Sequence, residues 1–219
     1  MADYTYLVND IKNTAEDDSS EFLDQIPKLV NKAENRLIRE LDDVGLNSYT
    51  SIAVSTSNPF VSLPSGTRIV RNFSIKANGT KINLLPRTTE FISDYWPYVS
   101  ASIGEPKYYG MRSNTQIVIA PTPASIHDGE IYYVSRPTTL SSVAPNNYFS
   151  DFCYDALFYA SMLEASLFMK SFNTMQFWQS EYTAAIDGLR NQARRTRQDD
   201  MEVAASPAGS ADPLIQGSS

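Results

Sequence analysis

Residues 73–84 read Phe73-Ser74-Ile75-Lys76-Ala77-Asn78-Gly79-Thr80-Lys81-Ile82-Asn83-Leu84. Two short runs of mixed apolar and polar residues flank Asn78-Gly79. The pair suits a two-residue turn in which both positions need φ > 0, so the stretch predicts a β-hairpin. Working outward, Gln116 to Ala120 and Glu130 to Val134 read as a second strand pair, joined by a longer loop with Pro121, Pro123 and Asp128-Gly129. Further strands are expected near Ser51–Val54 and Lys107–Met111. Between the hairpins, Thr89 to Tyr98 predicts a short helix, capped by Thr88 or Thr89 and ending near Pro97.

On both sides of this β-rich middle the hydrophobic period changes to that of a helix. Tyr4, Leu7, Val8 and Ile11 recur at helical spacing, and Asp17-Asp18-Ser19-Ser20 supplies a break and a cap. Phe22, Leu23 and Ile26 read as one short turn, with Pro27 opening the next helix, where its missing N–H costs nothing. Leu29, Val30, Ala33, Leu37, Ile38 and Leu41 then form an apolar stripe that Gly45 is expected to end. Beyond the insert, Tyr148 to Lys170 is apolar on nearly every face and predicts one buried helix. Phe172-Asn173-Thr174 predicts a tight turn. Met175, Trp178, Tyr182, Ile186, Leu189 and Ala193 follow as the stripe of a second helix antiparallel to the first.

The fold class expected is therefore α+β: a helical bundle from the N- and C-terminal helices, with a small antiparallel β domain inserted and an extended C-terminal tail. The boundaries fall at 1–46, 47–147, 148–198 and 199–219. Residues 199–219 hold no aromatic and no Lys or Arg, and are mostly Ala, Ser, Gly and Pro, the composition of a segment that cannot bury a core.

Composition narrows the function classes. At 219 residues the chain is ~1.5 typical domains and buries roughly 70% of its unfolded surface. A net charge of −7 argues against a protein that wraps nucleic acid. Charge is uneven: residues 1–43 carry 5 basic and 11 acidic side chains, residues 44–147 carry 8 and 5, and residues 148–219 carry 5 and 9. No basic n-region followed by an apolar core opens the chain, and the apolar run Phe152 to Met169 contains Asp155 and Glu164, so a secretory leader and a membrane span are not expected.

Catalytic constellations are scarce. His127 is the sole histidine; it lies in a Pro-rich loop, follows no G-x-S-x-G elbow, and excludes a metal site of two histidines. Cys153 lies between Phe152 and Tyr154 and reads as a buried thiol. Only 9 glycines are present, with no phosphate-cradling motif among them. Asp94 and Glu105 are the two acids that a glycosidase pair would use, with nothing in their spacing to favour it over surface charge. No cofactor or metal is expected. Two features stand out instead. Arg190, Arg194, Arg195 and Arg197 form a basic run, suited to a helix C-terminus or to phosphate contacts without base specificity. Tyr95-Trp96-Pro97-Tyr98 and Pro106-Lys107-Tyr108-Tyr109 are aromatic and proline-rich, suited to filling a small β core or to a contact rim.

Taken in order along the chain, several segments resemble one known family. The pattern Phe22-x-x-x-Ile26-Pro27-x-x-Val30-x-x-Ala33-Glu34-x-Arg36-Leu37-x-Arg39-Glu40-Leu41 is similar to the N-terminal helices of head-to-tail adaptor proteins (connectors, tail tubular protein A-like) of tailed bacteriophages. Gly104 to Tyr109, Ile119 to Pro123 and Tyr132-Tyr133-x-x-Arg136-Pro137-x-x-Leu140 resemble that family's β insert. Leu163-Glu164-Ala165-x-x-Phe168-Met169-Lys170 resembles its central helix. The resemblance implies a non-enzymatic virion protein at the head–tail junction, made in the host cytoplasm and without a membrane role. Its implied partners are the portal protein, a tail or nozzle protein, further copies in a dodecameric ring, and double-stranded DNA passing without sequence specificity.

In such adaptors a C-terminal extension docks onto the portal, which points to Pro213, Leu214 and Ile215. Arg190, Arg194, Arg195 and Arg197 would face the channel or a partner, and Tyr95, Trp96 and Tyr98 would make tail-side or inter-subunit contacts. Arg68, Arg71 and Arg112 could meet a neighbour's acidic helices. The rival expectation is a carbohydrate- or receptor-binding tail component that uses the aromatic insert.

Overall fold

The computed structural model describes residues 3–41, 46–77, 79–97 and 103–205, with 193–205 as backbone only. Asp3 caps α1 (Tyr4–Ala15) by accepting from the Tyr6 N–H. Ser19 does the same for α2 (Ser20–Glu40), accepting from the Phe22 N–H. Helix α2 therefore starts at Ser20, and Pro27 lies inside it rather than opening a separate helix. An interior proline costs about 3 kcal/mol. The unbroken stripe of Phe22, Ile26, Leu29, Val30, Ala33 and Leu37 is almost fully buried, and each large member contributes roughly 1.5–3 kcal/mol, enough to carry the helix across the proline. The helix ends at Glu40, where the Leu41 N–H returns to the Leu37 carbonyl. Gly45, the expected terminator, lies outside the described residues.

The insert is built from two facing four-stranded sheets. The first has the order β1-β10-β3-β4, antiparallel throughout: β1 (Asn47–Val54), β10 (His127–Ser135), β3 (Thr67–Ala77) and β4 (Thr80–Asn83). The second has the order β2-β8-β7-β5: β2 (Phe60–Ser62), β8 (Gln116–Ala120), β7 (Tyr108–Ser113) and β5 (Leu85–Pro86), the last pair being parallel. A two-residue parallel ladder joins β6 (Ile103–Gly104) to β9 (Thr122–Pro123). Val54, Phe73, Ile75, Ile131 and Tyr133 of the first sheet meet Val61, Tyr109, Ile117 and Ile119 of the second in one core.

The Asn-Gly hairpin forms as expected between β3 and β4, with Gly79 at φ +80°. Replacing Gly79 by Ala should cost about 1 kcal/mol in urea unfolding, because that φ is strained for any residue with a Cβ. The second expected pair does not form: β8 pairs with β2 and β7, whereas β10 pairs with β1 and β3. The loop holding Pro121 and Pro123 carries the chain from one sheet to the other instead of turning it back on itself.

The C-terminal helices differ from expectation in two places. The single helix read over Tyr148 to Lys170 is two, α4 (Tyr148–Phe152) and α5 (Tyr154–Phe168), separated by Cys153 at φ −134°, ψ 34°. The turn falls at Met169–Ser171, and Phe172-Asn173-Thr174 is instead the first turn of α6 (Phe172–Ala205). Here the Ser171 N–H donates to the Ser166 carbonyl (2.9 Å) and the Lys170 N–H to that of Leu167 (3.3 Å). This is the Schellman closure, with Lys170 at φ +57° where glycine is usual. Lys170→Gly should therefore stabilise the chain by about 0.5–1 kcal/mol, read as a rise in Tm of about 1–4 °C. Helix α6 runs through residue 199, where the tail was expected to begin, as far as Ala205.

Helices α1, α2, α4, α5 and α6 enclose a second core around Phe22, Ile26, Leu37, Phe149, Leu157 and Ile186, to which Val134 at the end of β10 also belongs. Bundle and insert are fastened where the chain crosses between them. The Ser135 N–H donates to the Leu46 carbonyl (2.8 Å), the Arg68 guanidinium to the Ile38 carbonyl (2.8 Å) and that of Arg136 to Asn35 Oδ1 (2.6 Å).

Candidate interaction surfaces

The aromatic segment gathers on one side of the insert. Thr88 caps α3 (Thr89–Tyr95) by accepting from the Phe91 N–H. The helix lies against β7 at Gly110, where a Cβ would come within 2.8 Å of the Arg87 carbonyl and 3.0 Å of Ile92. That approach packs rings in series, tilted or edge-on: Phe91 with Tyr95 (4.6 Å between centroids), Phe91 with Tyr108 (5.8 Å) and Trp96 with Tyr108 (5.5 Å). The Arg87 guanidinium lies 5.5 Å from the Phe91 ring. Tyr95 stays 67% exposed, so part of the cluster is a rim and part is packing. Beside it a cleft of about 290 Å³ runs between Ile92, Trp96 and Pro97 on one wall and Phe60 and Arg112 on the other. Arg112 lies 4.0 Å over the Phe60 ring. Tyr98 lies outside the described residues.

The basic run is only partly described. Arg190 lies 3.7 Å from both Glu40 and Asp187, so it ties α6 to α2 within the chain, an exposed geometry of small energy. Arg194, Arg195 and Arg197 lie on α6 with their side chains outside the described residues, as do Pro213, Leu214 and Ile215 entirely. Of the other cations considered for a neighbouring copy, Arg68 is bonded to Ile38 and Arg112 to Gln116 and Phe60.

His127 begins β10, with Nε2 3.3 Å from Ser125 Oγ and Nδ1 3.4 Å from the Lys76 carbonyl. A backbone carbonyl thus stands where a triad places its orienting carboxylate. Burial pushes the Cys153 thiol up from its ordinary value, away from the reactive thiolate. Asp94 and Glu105 are both exposed. Among the described residues no three His, Cys, Asp or Glu side chains group as metal ligands, and no helix is long and apolar enough to cross a membrane.

The family model for the SU10 adaptor protein matches residues 2–208, through the bundle and the insert alike. The chain belongs to the SU10 adaptor protein family. It is accordingly a phage adaptor with a structural role, a component of the virion that works with portal and tail proteins. No curated protein matches the chain.

In this adaptor, charged residues of the segments that carried the resemblance turn inward. Glu34 is 3% exposed on the buried face of α2. Its Oε1 accepts from the Leu140 N–H (3.1 Å) and from Asn147 Nδ2 (2.6 Å), while Oε2 is buried without a partner. Asn147 also closes a capping box on α4: its Oδ1 accepts from the Phe149 and Ser150 N–H groups, and the Ser150 hydroxyl accepts from the Asn147 N–H. Two residues further along α2, Arg36 reaches Glu164 of α5 at 2.6 Å and lies 5.8 Å from the Tyr182 ring of α6. Sequence reasoning missed Glu34, Asn147, Arg36 and Glu164 as a group. The available signal was position: Glu34 falls four residues after Val30 and three before Leu37, inside the apolar stripe.

Proposed function

We propose that this adaptor joins head to tail. Copies assemble as a dodecameric ring that binds the portal, extends the DNA channel beneath it and offers the platform that receives the tail or nozzle. The family match through both bundle and insert carries the reading. A net charge of −7 supports it, since cationic channel walls would hold DNA in a salt-dependent way and acidic ones let it pass. The adaptor is non-catalytic and needs no cofactor. Helices from 1–46 and 148–198 form its body, 47–147 forms its insert, and 199–219 forms its tail, whose first residues, to Ala205, continue α6. Pro213, Leu214 and Ile215 dock on the portal. Arg194, Arg195 and Arg197 face the channel or a partner, and Tyr95, Trp96 and Tyr98 meet the tail side or a neighbouring copy.

Cross-linking mass spectrometry on purified virus particles tests the reading. Carboxylate-reactive chemistry suits a tail that has Asp199, Asp200, Glu202 and Asp212 but no lysine. Links from these residues to a portal subunit are expected; absence of the protein from particles would end the reading. The cleft walled by Trp96 and Phe60 favours a second reading, a carbohydrate- or receptor-binding tail component. That reading predicts lost host adsorption with intact particles for Trp96→Ala and links only to tail-fibre proteins, whereas the adaptor reading predicts faulty tail joining.

A further inference from the structure

The four-stranded antiparallel sheet ends in two edges, β1 and β4, that pair with no further strand among the described residues. At β1 the Ser135 N–H donates to the Leu46 carbonyl. With the observed register, the bonded pairs are then Ser48/Tyr133, Thr50/Ile131, Ile52/Gly129 and Val54/His127. The N–H and C=O groups of Tyr49, Ser51 and Ala53 point the other way, to the outside, and have no partner among the described residues. At β4 the Leu84 N–H donates to the Phe73 carbonyl, which pairs Ile82 with Ile75 and Thr80 with Ala77 and turns the backbone groups of Lys81 and Asn83 outward.

Exposed edges are normally guarded by charge, proline, a bulge or shortness. Strand β1 has none of these: Asn-Ser-Tyr-Thr-Ser-Ile-Ala-Val runs eight residues in unbroken register. The one charge on β4, Lys81, is held 2.6 Å from Glu130 of the same sheet rather than projecting from the edge.

The two edges also match each other. The outward-turned residues of β1 (Tyr49, Ser51, Ala53) and of β4 (Lys81, Asn83) all have exposed side chains, while Ile52 and Ile82, whose backbones bond inward, are half-buried. Residues opposite each other in an antiparallel pair share a face. Joining the edges therefore keeps solvent-facing side chains on one side and core-facing ones on the other. Four alternating strands make β1 and β4 run oppositely, so a neighbour in the same orientation presents β4 antiparallel to β1. We infer that β4 of one copy pairs with β1 of the next, carrying the sheet from subunit to subunit. The occupant of each edge is thus a second copy. The contact joins two different patches, the kind that closes into rings. This rests on the ring reading above.

The test exploits backbone direction. Ser51→Pro and Lys81→Pro each remove one outward N–H and no N–H of the internal ladder, which an edge strand tolerates. Each full-length variant should keep the wild-type circular dichroism and, apart from the small surface contribution of the Lys81–Glu130 pair, the wild-type Tm, yet fail to assemble alone. Mixed, they should form a dimer through the one intact β4–β1 joint, seen by native mass spectrometry. Ser51→Val, which keeps the N–H, should assemble like wild type. In virus particles, amide exchange over 47–54 and 80–83 should slow at least about tenfold relative to the free chain.

Normal assembly of both proline variants, or unchanged exchange at both segments, overturns the inference while leaving the adaptor reading intact. Should a proline variant misfold, exchange in wild-type particles decides alone. Absence of the wild type from particles removes the adaptor reading, and the mixing experiment then decides the edge pairing: a dimer sustains it, and monomers overturn it.

Discussion

Replacing Arg36 by alanine is expected to lower the stability of the folded chain by about 2–4 kcal/mol. The Arg36 and Glu164 side chains, 26% and 12% exposed, meet at 2.6 Å between α2 and α5. Taking two charges out of water is costly, and their attraction offsets that cost only while both are present. Arg36→Ala leaves the Glu164 carboxylate with little water and no cation, and removes an alkyl stem and a guanidinium packed near Tyr182. The arginine is partly solvated, so the loss falls somewhat below that of a fully buried pair.

The double variant Arg36→Met, Glu164→Leu should recover most of the loss, because well-packed apolar residues of similar size avoid the desolvation altogether. Urea unfolding of Arg36→Met, Glu164→Leu and their double gives the coupling energy directly. A single-variant loss below about 0.5 kcal/mol, with no coupling, would mean that water rather than Glu164 satisfies Arg36.

The same pair explains what the sequence could and could not disclose. The β-hairpin at residues 73–84, the caps at Ser19 and Thr88 and the stripes of α1, α2 and α6 are local features, set by residues a few positions apart, and they read correctly. Pairing of β10 with β1 and β3 depends on which face each strand buries, and Gln116–Ala120 carries the same composition whether it pairs with residues 130–134 or with residues 60–62. The break at Cys153 has no glycine or proline to mark it, and Lys170 occupies a left-handed position that composition assigns to glycine. Proline misled in the opposite direction, because burial of Ile26 and Leu29 on either side of Pro27 outweighs one missing hydrogen bond.

For the interaction surfaces, residue type alone does not separate an aromatic that packs from one that binds. Tyr108 and Tyr95 belong to one aromatic cluster, yet Tyr95 is the exposed one. Arginine behaved likewise: Arg68 and Arg190 looked available for partners and are bonded within the chain.

Glu34 gives the second large effect, and its size should depend on pH. Glu34→Ala removes the acceptor shared by the Leu140 N–H and Asn147 Nδ2 and opens a void in the bundle core, with an expected loss of about 2–4 kcal/mol at neutral pH. Glu34→Gln keeps an oxygen facing the same two donors and should cost less than about 1 kcal/mol.

The charge state separates these variants from the wild type further. Burial pushes the Glu34 carboxyl above its ordinary range, and this outweighs the lowering by the Leu140 and Asn147 hydrogen bonds and by Arg136. The fold therefore favours the neutral acid. Its contribution is fully present below the unfolded value, near 4.5, and is lost as pH rises through the higher folded value. Relative to Glu34→Gln, the wild type should gain stability as pH falls from neutral to about 4, with other carboxylates cancelling in the difference. A flat difference, or a wild type that gains as pH rises, would show that the hydrogen bonds and Arg136 outweigh burial. The Leu140 and Asn147 hydrogen bonds favour the carboxylate, so protonation relieves the cost of burial but weakens the local hold of Glu34 on the segment leading from β10 to α4. Local amide exchange over 138–147 should therefore quicken on acidification, beyond the intrinsic pH effect, in the wild type and not in Glu34→Gln.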